Sequence, residues 1–422
     1  MSEFLIFFLM VAAFAFAATV LKLPIGLSLA LAAILGSISG SQGISLRHLV
    51  EGSFGFFDTI LIIVTAVIFM KVLEAAGILD SLTSLLLRTF YKKKFLLLLS
   101  AMFIAMFPGM IIGSSVAAVL TSGPLIAPLL MKLGLPKGKT AAFLAMGGIV
   151  GMIAPPVNIM VMIMGAGVDM PYVGVALPLL AISIPLAIII SLWIGYRDIK
   201  IIDYEEMMTI LPESLYPKYG FRLYLPLILV LGLMLGQGIL VKFMPDIGIP
   251  GIFLLGSLVG IFCGRPLNYL KITQKAIEEA MPILCILAGV GMFIQIMTLT
   301  GARGWTVISI LSFPSFLLYL GISLSLPLFG GVSCFGAVSI FGIPFILALV
   351  GKNAILTTSA LSTIAAIGDL MLPAAVAARF SAQIVGEPHF SRILRHCLVP
   401  SLFILTMGIG VLLFSPFLDK IF

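Results

Sequence analysis

Apolar runs near 4–21, 24–42, 56–77, 95–133, 139–168 and 172–196 fill the first half of this sequence. Runs near 223–243, 248–264, 280–299, 312–350, 353–384 and 397–417 fill the second. At 1.5 Å per residue, about 20 residues cross a hydrocarbon core about 30 Å thick. No water reaches that core, so every backbone amide and carbonyl must be satisfied by the chain itself, which a helix does segment by segment. The sequence therefore predicts an all-α polytopic membrane protein, inserted by multiple passes. Only 10% of residues are charged, where a soluble domain carries about a quarter. The net charge of +7 sits in loops between runs, which fits membrane orientation and a lipid bilayer partner, not nucleic acid. Met1-Ser2-Glu3-Phe4 puts no basic residue ahead of the first run, so that run is read as a retained helix and not a cleaved leader.

The runs recur in one order: three spans, a short amphipathic arm, a long interrupted segment, a broken span and a final span. Residues 1–196 and 222–422 thus read as two repeats, joined by a polar cytoplasmic linker at 197–221. Segments 95–133 and 312–350 are each about two spans long and are punctured midway by Gly, Pro and Ser. Re-entrant helical hairpins explain both features, with arms of about 12–18 residues, below the roughly 20 of a full span. Two ordinary spans with a tight turn are the alternative. Segments 139–168 and 353–384 read as broken transmembrane helices. Placing the Arg88, Lys92, Lys93 and Lys94 cluster inside also puts Lys132, Lys137, Lys139, Arg197, Lys200, Arg265, Arg392 and Arg395 at the inner edge. Arg47, Lys242, Arg303, Lys352 and Lys420 then fall outside, as positive-inside bias requires. The second repeat is then inverted relative to the first, an arrangement that suits alternating access about a midplane site.

The breaks are where chemistry is expected. Pro155-Pro156 removes amide hydrogens and forces carbonyls out of the helical ladder, and such freed groups need protein, water or an ion. The first half offers the hydroxyls of Ser114 and Ser115, carbonyls near Gly113 and from Gly151 to Ala154, and the Asn158 side chain. Neutral oxygens of this kind can ligate sodium. Half-helix starts after Pro156 and near Ser115 can hold an anionic group. Alternatively, the serines bond back to their own helices and the prolines only kink them. The second half offers Ser333-Cys334 at the hairpin tip and Gly368-Asp369 ahead of Pro373. A carboxylate near the bilayer centre costs about 2.5–3.5 kcal/mol on insertion scales, so Asp369 is expected to ligate a cation, carry a proton or pair with Arg379.

Glu74, Arg303 and the Glu278-Glu279 pair lie near span ends and read as interfacial anchors; Trp193 and Trp305 fit aromatic belts. Three dispersed histidines and four cysteines without paired spacing suggest neither a metal centre nor a disulfide framework. No HExxH, GxSxG or P-loop lysine motif is present, so neither an enzyme nor ATP-driven transport is expected. A channel would need a continuous polar lining, whereas polar residues cluster at the two breaks.

The order Gly113-Ser114-Ser115-Val116-Ala117, then Pro124 and Pro128, then Gly147-Gly148 through Ala154-Pro155-Pro156 resembles the large membrane subunit of tripartite ATP-independent periplasmic (TRAP) transporters. Leu23-Pro24-Ile25-Gly26-Leu27-Ser28-Leu29 is also similar to that family's opening. The resemblance implies an elevator mechanism importing a small organic acid with sodium as coupling ion and no other cofactor. It implies one sodium site at Gly113, Ser114, Ser115 and Gly151 to Pro155, and a second at Ser333, Cys334 and Gly368 to Pro373. It also implies two partners, a small membrane subunit and a periplasmic substrate-binding protein. Ile112 stands where that family commonly has serine, and the second half has Asp369 and a single Pro373 in place of a double proline. A stand-alone sodium- or proton-coupled carboxylate or anion carrier is the alternative.

Overall fold

The computed structural model describes residues 1–201, 203–240, 247–349 and 351–420. Lys242, the end of the 223–243 run and the last residue of the 312–350 segment lie outside them. Among the described residues all regular structure is helical. In the first half α1 (Glu3–Thr19) and α2 (Ile25–Ser39) precede α3 (Leu46–Phe54) and α4 (Phe57–Ala75), a pair bent by 44°. Next come α5 (Ile78–Phe90), the hairpin of α6 (Lys94–Ile112) and α7 (Ser115–Lys132), the interrupted α8 (Lys137–Ile153) and α9 (Ile159–Gly167), and α10 (Ala176–Gly195). Short helices α11 (Tyr204–Met208) and α12 (Tyr216–Tyr219) occupy the connection.

The second half repeats the order. It runs α13 (Leu225–Leu240), α14 (Gly248–Gly260), α15 (Tyr269–Leu299) and α16 (Ala302–Leu311). A hairpin follows, α17 (Ser315–Gly330) returning as α18 (Cys334–Ala337), a π-turn at Val338–Gly342 and α19 (Ile343–Ala348). Then come α20 (Ala354–Ala365), which tightens into a 3-10 turn to Leu370, α21 (Val376–Val385), α22 (Phe390–Leu413) and α23 (Ser415–Leu418). Five of the described helices are long and apolar enough to cross a membrane, six if α3 and α4 count as one span. The exterior is apolar too: Phe8, Phe262, Phe316 and Leu402 are all more than half exposed.

Lipid gives little reward for apolar contact between helices, so close backbone approach through small residues does much of the holding. Where α2 crosses α15, a Cβ on Gly26 would lie 2.2 Å from the Cys285 carbonyl oxygen. Where α3 meets α15, one on Gly291 would lie 1.9 Å from the Gly52 oxygen. Gly256 and Gly260 let α14 settle on Phe69 and Val72 of α4. The hairpins and broken helices use the same device: Gly147 abuts Ala105, and Gly151 abuts the Met106 carbonyl.

Several expectations change. The α6 arm has 19 residues, one beyond the range the hairpin reading gave, and α7 has 18, at its upper end; both are long and apolar enough to cross a membrane. The 280–299 run is only the later part of α15, whose start at Tyr269 is capped by Asn268, its Oδ1 accepting from Lys271 N–H at 3.1 Å. The 397–417 run begins earlier, at Phe390. Within the linker 197–221 the chain is anchored at points, with Ile199, Met207 and Leu211 buried and Leu215 N–H donating to Ser81 Oγ at 2.9 Å. Glu74 and Glu279 are no simple anchors, because both pair with Lys71 of α4, at 2.9 and 2.7 Å. Arg303 caps the end of α9, donating to the Gly167 carbonyl at 2.5 Å.

Candidate functional site

In the first half the turn between α6 and α7 depends on Gly113, whose φ of +74° suits a residue without Cβ. Ser114 caps α7, its hydroxyl accepting from Ala117 N–H at 3.4 Å. Val157 N–H, in the break between α8 and α9, donates to the Met110 carbonyl at 3.0 Å and ties tip to break. The Pro156 carbonyl, freed by the interruption, accepts from Tyr172 OH at 3.1 Å. That phenolic oxygen in turn accepts from Asn158 N–H at 3.0 Å.

The second half repeats this with other residues. Ser333 caps the returning arm, accepting from Gly336 N–H at 3.1 Å. Ala374 N–H, in the break between α20 and α21, donates to the Gly331 carbonyl at 2.9 Å. The Pro373 carbonyl accepts from Arg379 Nη2 at 2.6 Å. Arg379 therefore serves the break, and among the described residues it forms no ion pair with Asp369. Gly330 and Gly368 meet backbone to backbone, where a Cβ on Gly368 would lie 2.5 Å from Gly330 Cα.

Both tips converge on Asp369. Its carboxylate accepts from the Ser115 hydroxyl of one hairpin, and Cys334 of the other shares the cavity wall with it. A cavity of about 140 Å³ opens here, lined by Ser114, Ser115, Ser333, Cys334, Gly368 and Asp369. Ile25 of α2 and Ile286 of α15 close it from a second helix group, the one built on the α2–α15 crossing at Gly26. Asp369 is 6% exposed, and among the described residues no basic side chain pairs with it. A buried carboxylate with no ion pair, at a cavity whose hydroxyls come from Ser114, Ser115 and Ser333, is suited to holding a cation or a proton. At about 30 Å³ per water, the volume admits a partly hydrated ion or a very small solute.

Residues expected at two separate sites thus line one cavity. Gly113, Gly151, Ala154, Pro156 and Asn158 are not among the residues lining the cavity. Gly113 makes the turn, Gly151 packs on α6, and Ala154 ends α8. Asn158 is fully buried and engaged on three sides: its Oδ1 accepts from Val161 N–H at 3.1 Å, while Nδ2 donates to the Ile153 carbonyl at 3.0 Å and to Ser362 Oγ at 3.1 Å. Tyr172 carries no signal in the sequence because a lone tyrosine has no local pattern, and Ser362 reads there only as part of the second broken span. Asn158→Ala should lower stability by about 2–3 kcal/mol, from a lost cap and buried polar groups left unpaired. Denaturant unfolding in detergent would check this, and sodium affinity should stay within a few-fold of the parent.

Residues 2–196 match the sequence profile of the Na+/H+ antiporter family, a span just short of half the 422 residues. No curated protein matches in sequence. Among solved structures the fold is similar to that of the Alcanivorax borkumensis YdaH transporter, described as having an unusual topology. The TM-score is 0.62 over 88% of this chain and 89% of that one, at 14% identity, so the likeness is one of fold. The fold is that of a transporter. These findings overturn the resemblance to the TRAP large subunit. A Gly-Ser tip facing a proline-broken helix is what any site of this construction requires, so the motif does not separate families. The small membrane subunit and the periplasmic binding protein were implied by that resemblance alone, and they fall with it.

Proposed function

We propose that this chain is a stand-alone secondary carrier of the bacterial inner membrane, moving a small organic acid coupled to sodium or protons through Asp369. The observation carrying this reading is the unpaired Asp369 carboxylate, held between the two hairpin tips at a cavity that both helix groups enclose. A carboxylate there binds one cation or one proton, not both, so lowering the pH weakens sodium binding. Inverted repeats would let the unit of hairpins and broken helices slide past the α2–α15 group, an elevator movement that exposes the cavity alternately. The cavity walls, drawn from both groups, support that reading.

Arg379 supports the anionic cargo. It is exposed on α21, one turn past the break, where facing hydrocarbon would be costly and a water-filled approach is not. Only one of its nitrogens is committed to the Pro373 carbonyl, leaving donors for a carboxylate. Arg379→Gln should raise the apparent KM for the acid about tenfold while leaving the dependence of uptake on the driving cation unchanged.

Proteoliposomes holding this chain alone test the whole reading. Uptake of a labelled carboxylate driven by a sodium or pH gradient is the expected result, and a need for any added chain would refute it. A second reading, sodium–proton exchange with no organic cargo, is favoured by the family profile over residues 2–196. A sodium pulse that shifts internal pH with no organic acid present would select it.

A further inference from the structure

A larger cavity of about 410 Å³ lies away from Asp369, between the loop after α9 and the end of the second hairpin. It is lined by Asp169, Met170, Pro171, Leu349, Lys352 and Thr357, among others. Its volume falls in the range of small-molecule pockets, about 300–1,000 Å³.

Three features give it a chemical character. Lys352 extends one ammonium donor to the Leu412 carbonyl at 2.5 Å and lies 5.6 Å from the centre of the Tyr319 ring, and among the described residues no carboxylate pairs with it. Asp169 supplies the opposite charge and forms no ion pair within 4 Å among the described residues, though the Arg303 guanidinium feels its charge. Thr357 is 1% exposed, and its hydroxyl has no hydrogen-bond partner among the described residues. Thr140, at the same step of α8 counted from the helix start, donates instead to the Leu135 carbonyl at 3.2 Å. A buried hydroxyl without a partner is costly to keep unless something else satisfies it.

We infer that this cavity is a second solute site, separate from the one at Asp369, which takes a small zwitterion. The carboxylate of the ligand pairs with Lys352, its cationic end with Asp169, and a polar atom between them meets the Thr357 hydroxyl. A lone anion or a lone amine would leave one wall charge unanswered.

Calorimetric titration of the purified full chain in detergent with γ-aminobutyrate, butyrate and butylamine tests the assignment. γ-Aminobutyrate should bind at least tenfold more tightly than either single-charge analogue. Lys352→Met and Asp169→Asn should each weaken it tenfold or more. Thr357→Val should weaken it several-fold, and Thr357→Ser, which keeps the hydroxyl, should restore it. Asp369→Asn should leave this binding unchanged. Equal binding of butyrate, no binding of γ-aminobutyrate to the parent chain, or loss of binding in Asp369→Asn would each overturn the inference. Because the Asp369 variant reports on the central cavity, a failure here is distinguishable from a failure of the carrier reading.

Discussion

Asp369→Asn should reduce gradient-driven transport in proteoliposomes by about 100-fold. Asparagine keeps the size and the acceptor oxygen facing Ser115, so the tips should still close on it. It removes the charge, and a charge-assisted interaction of about 3 kcal/mol is worth about two powers of ten. The variant should be as stable as the parent or more so, because an unpaired buried carboxylate disfavours the folded state. Removing a merely structural charge would leave coupling intact. Normal accumulation against a gradient would therefore eliminate Asp369 as the coupling group. Ser115→Ala should have a smaller effect, since it deletes one hydrogen bond and no charge.

The second large effect lies at a helix crossing, where Gly291 is not among the residues lining the cavity. Gly291→Ala should destabilise the protein by about 2–3 kcal/mol, because the new methyl meets the Gly52 carbonyl oxygen at 1.9 Å and the Phe56 ring at 3.3 Å. No side-chain rotation relieves a clash with backbone, so α3 and α15 must separate. Gly321→Ala is the matched control, with nothing within 4 Å of the added atom. It should be neutral or gain up to about 1 kcal/mol, as Gly-to-Ala changes within helices do. Thermal unfolding of both variants in detergent measures the difference. Equal midpoints would mean that the close crossing does not hold these helices together.

Much of the site was legible in the sequence. Ser114, Ser115, Ser333, Cys334, Gly368 and Asp369 stand at interruptions that proline and glycine impose locally, and all six line one cavity. Asn158 stands at such an interruption too, but its side chain is consumed by Val161, Ile153 and Ser362, a fate that depends on α20 packing alongside. Lys71 drew no notice as one charge in an apolar run, because its partner Glu279 comes from the other half of the chain. The family reading failed for a related reason: residues that a fold needs for mechanical purposes recur wherever the fold does.

By itself the sequence determined the helical class, the places where helices cannot continue, and the duplication of that pattern. Each of these follows from run length, missing amide hydrogens and residue order, which are local properties. Only the tertiary structure decided that Ser115 meets Asp369 across 254 residues and that two expected sites share one cavity. It also decided which polar groups remain without a partner. Those outcomes depend on which helix lies against which, a matter of packing between residues far apart in the chain and beyond the reach of any local pattern.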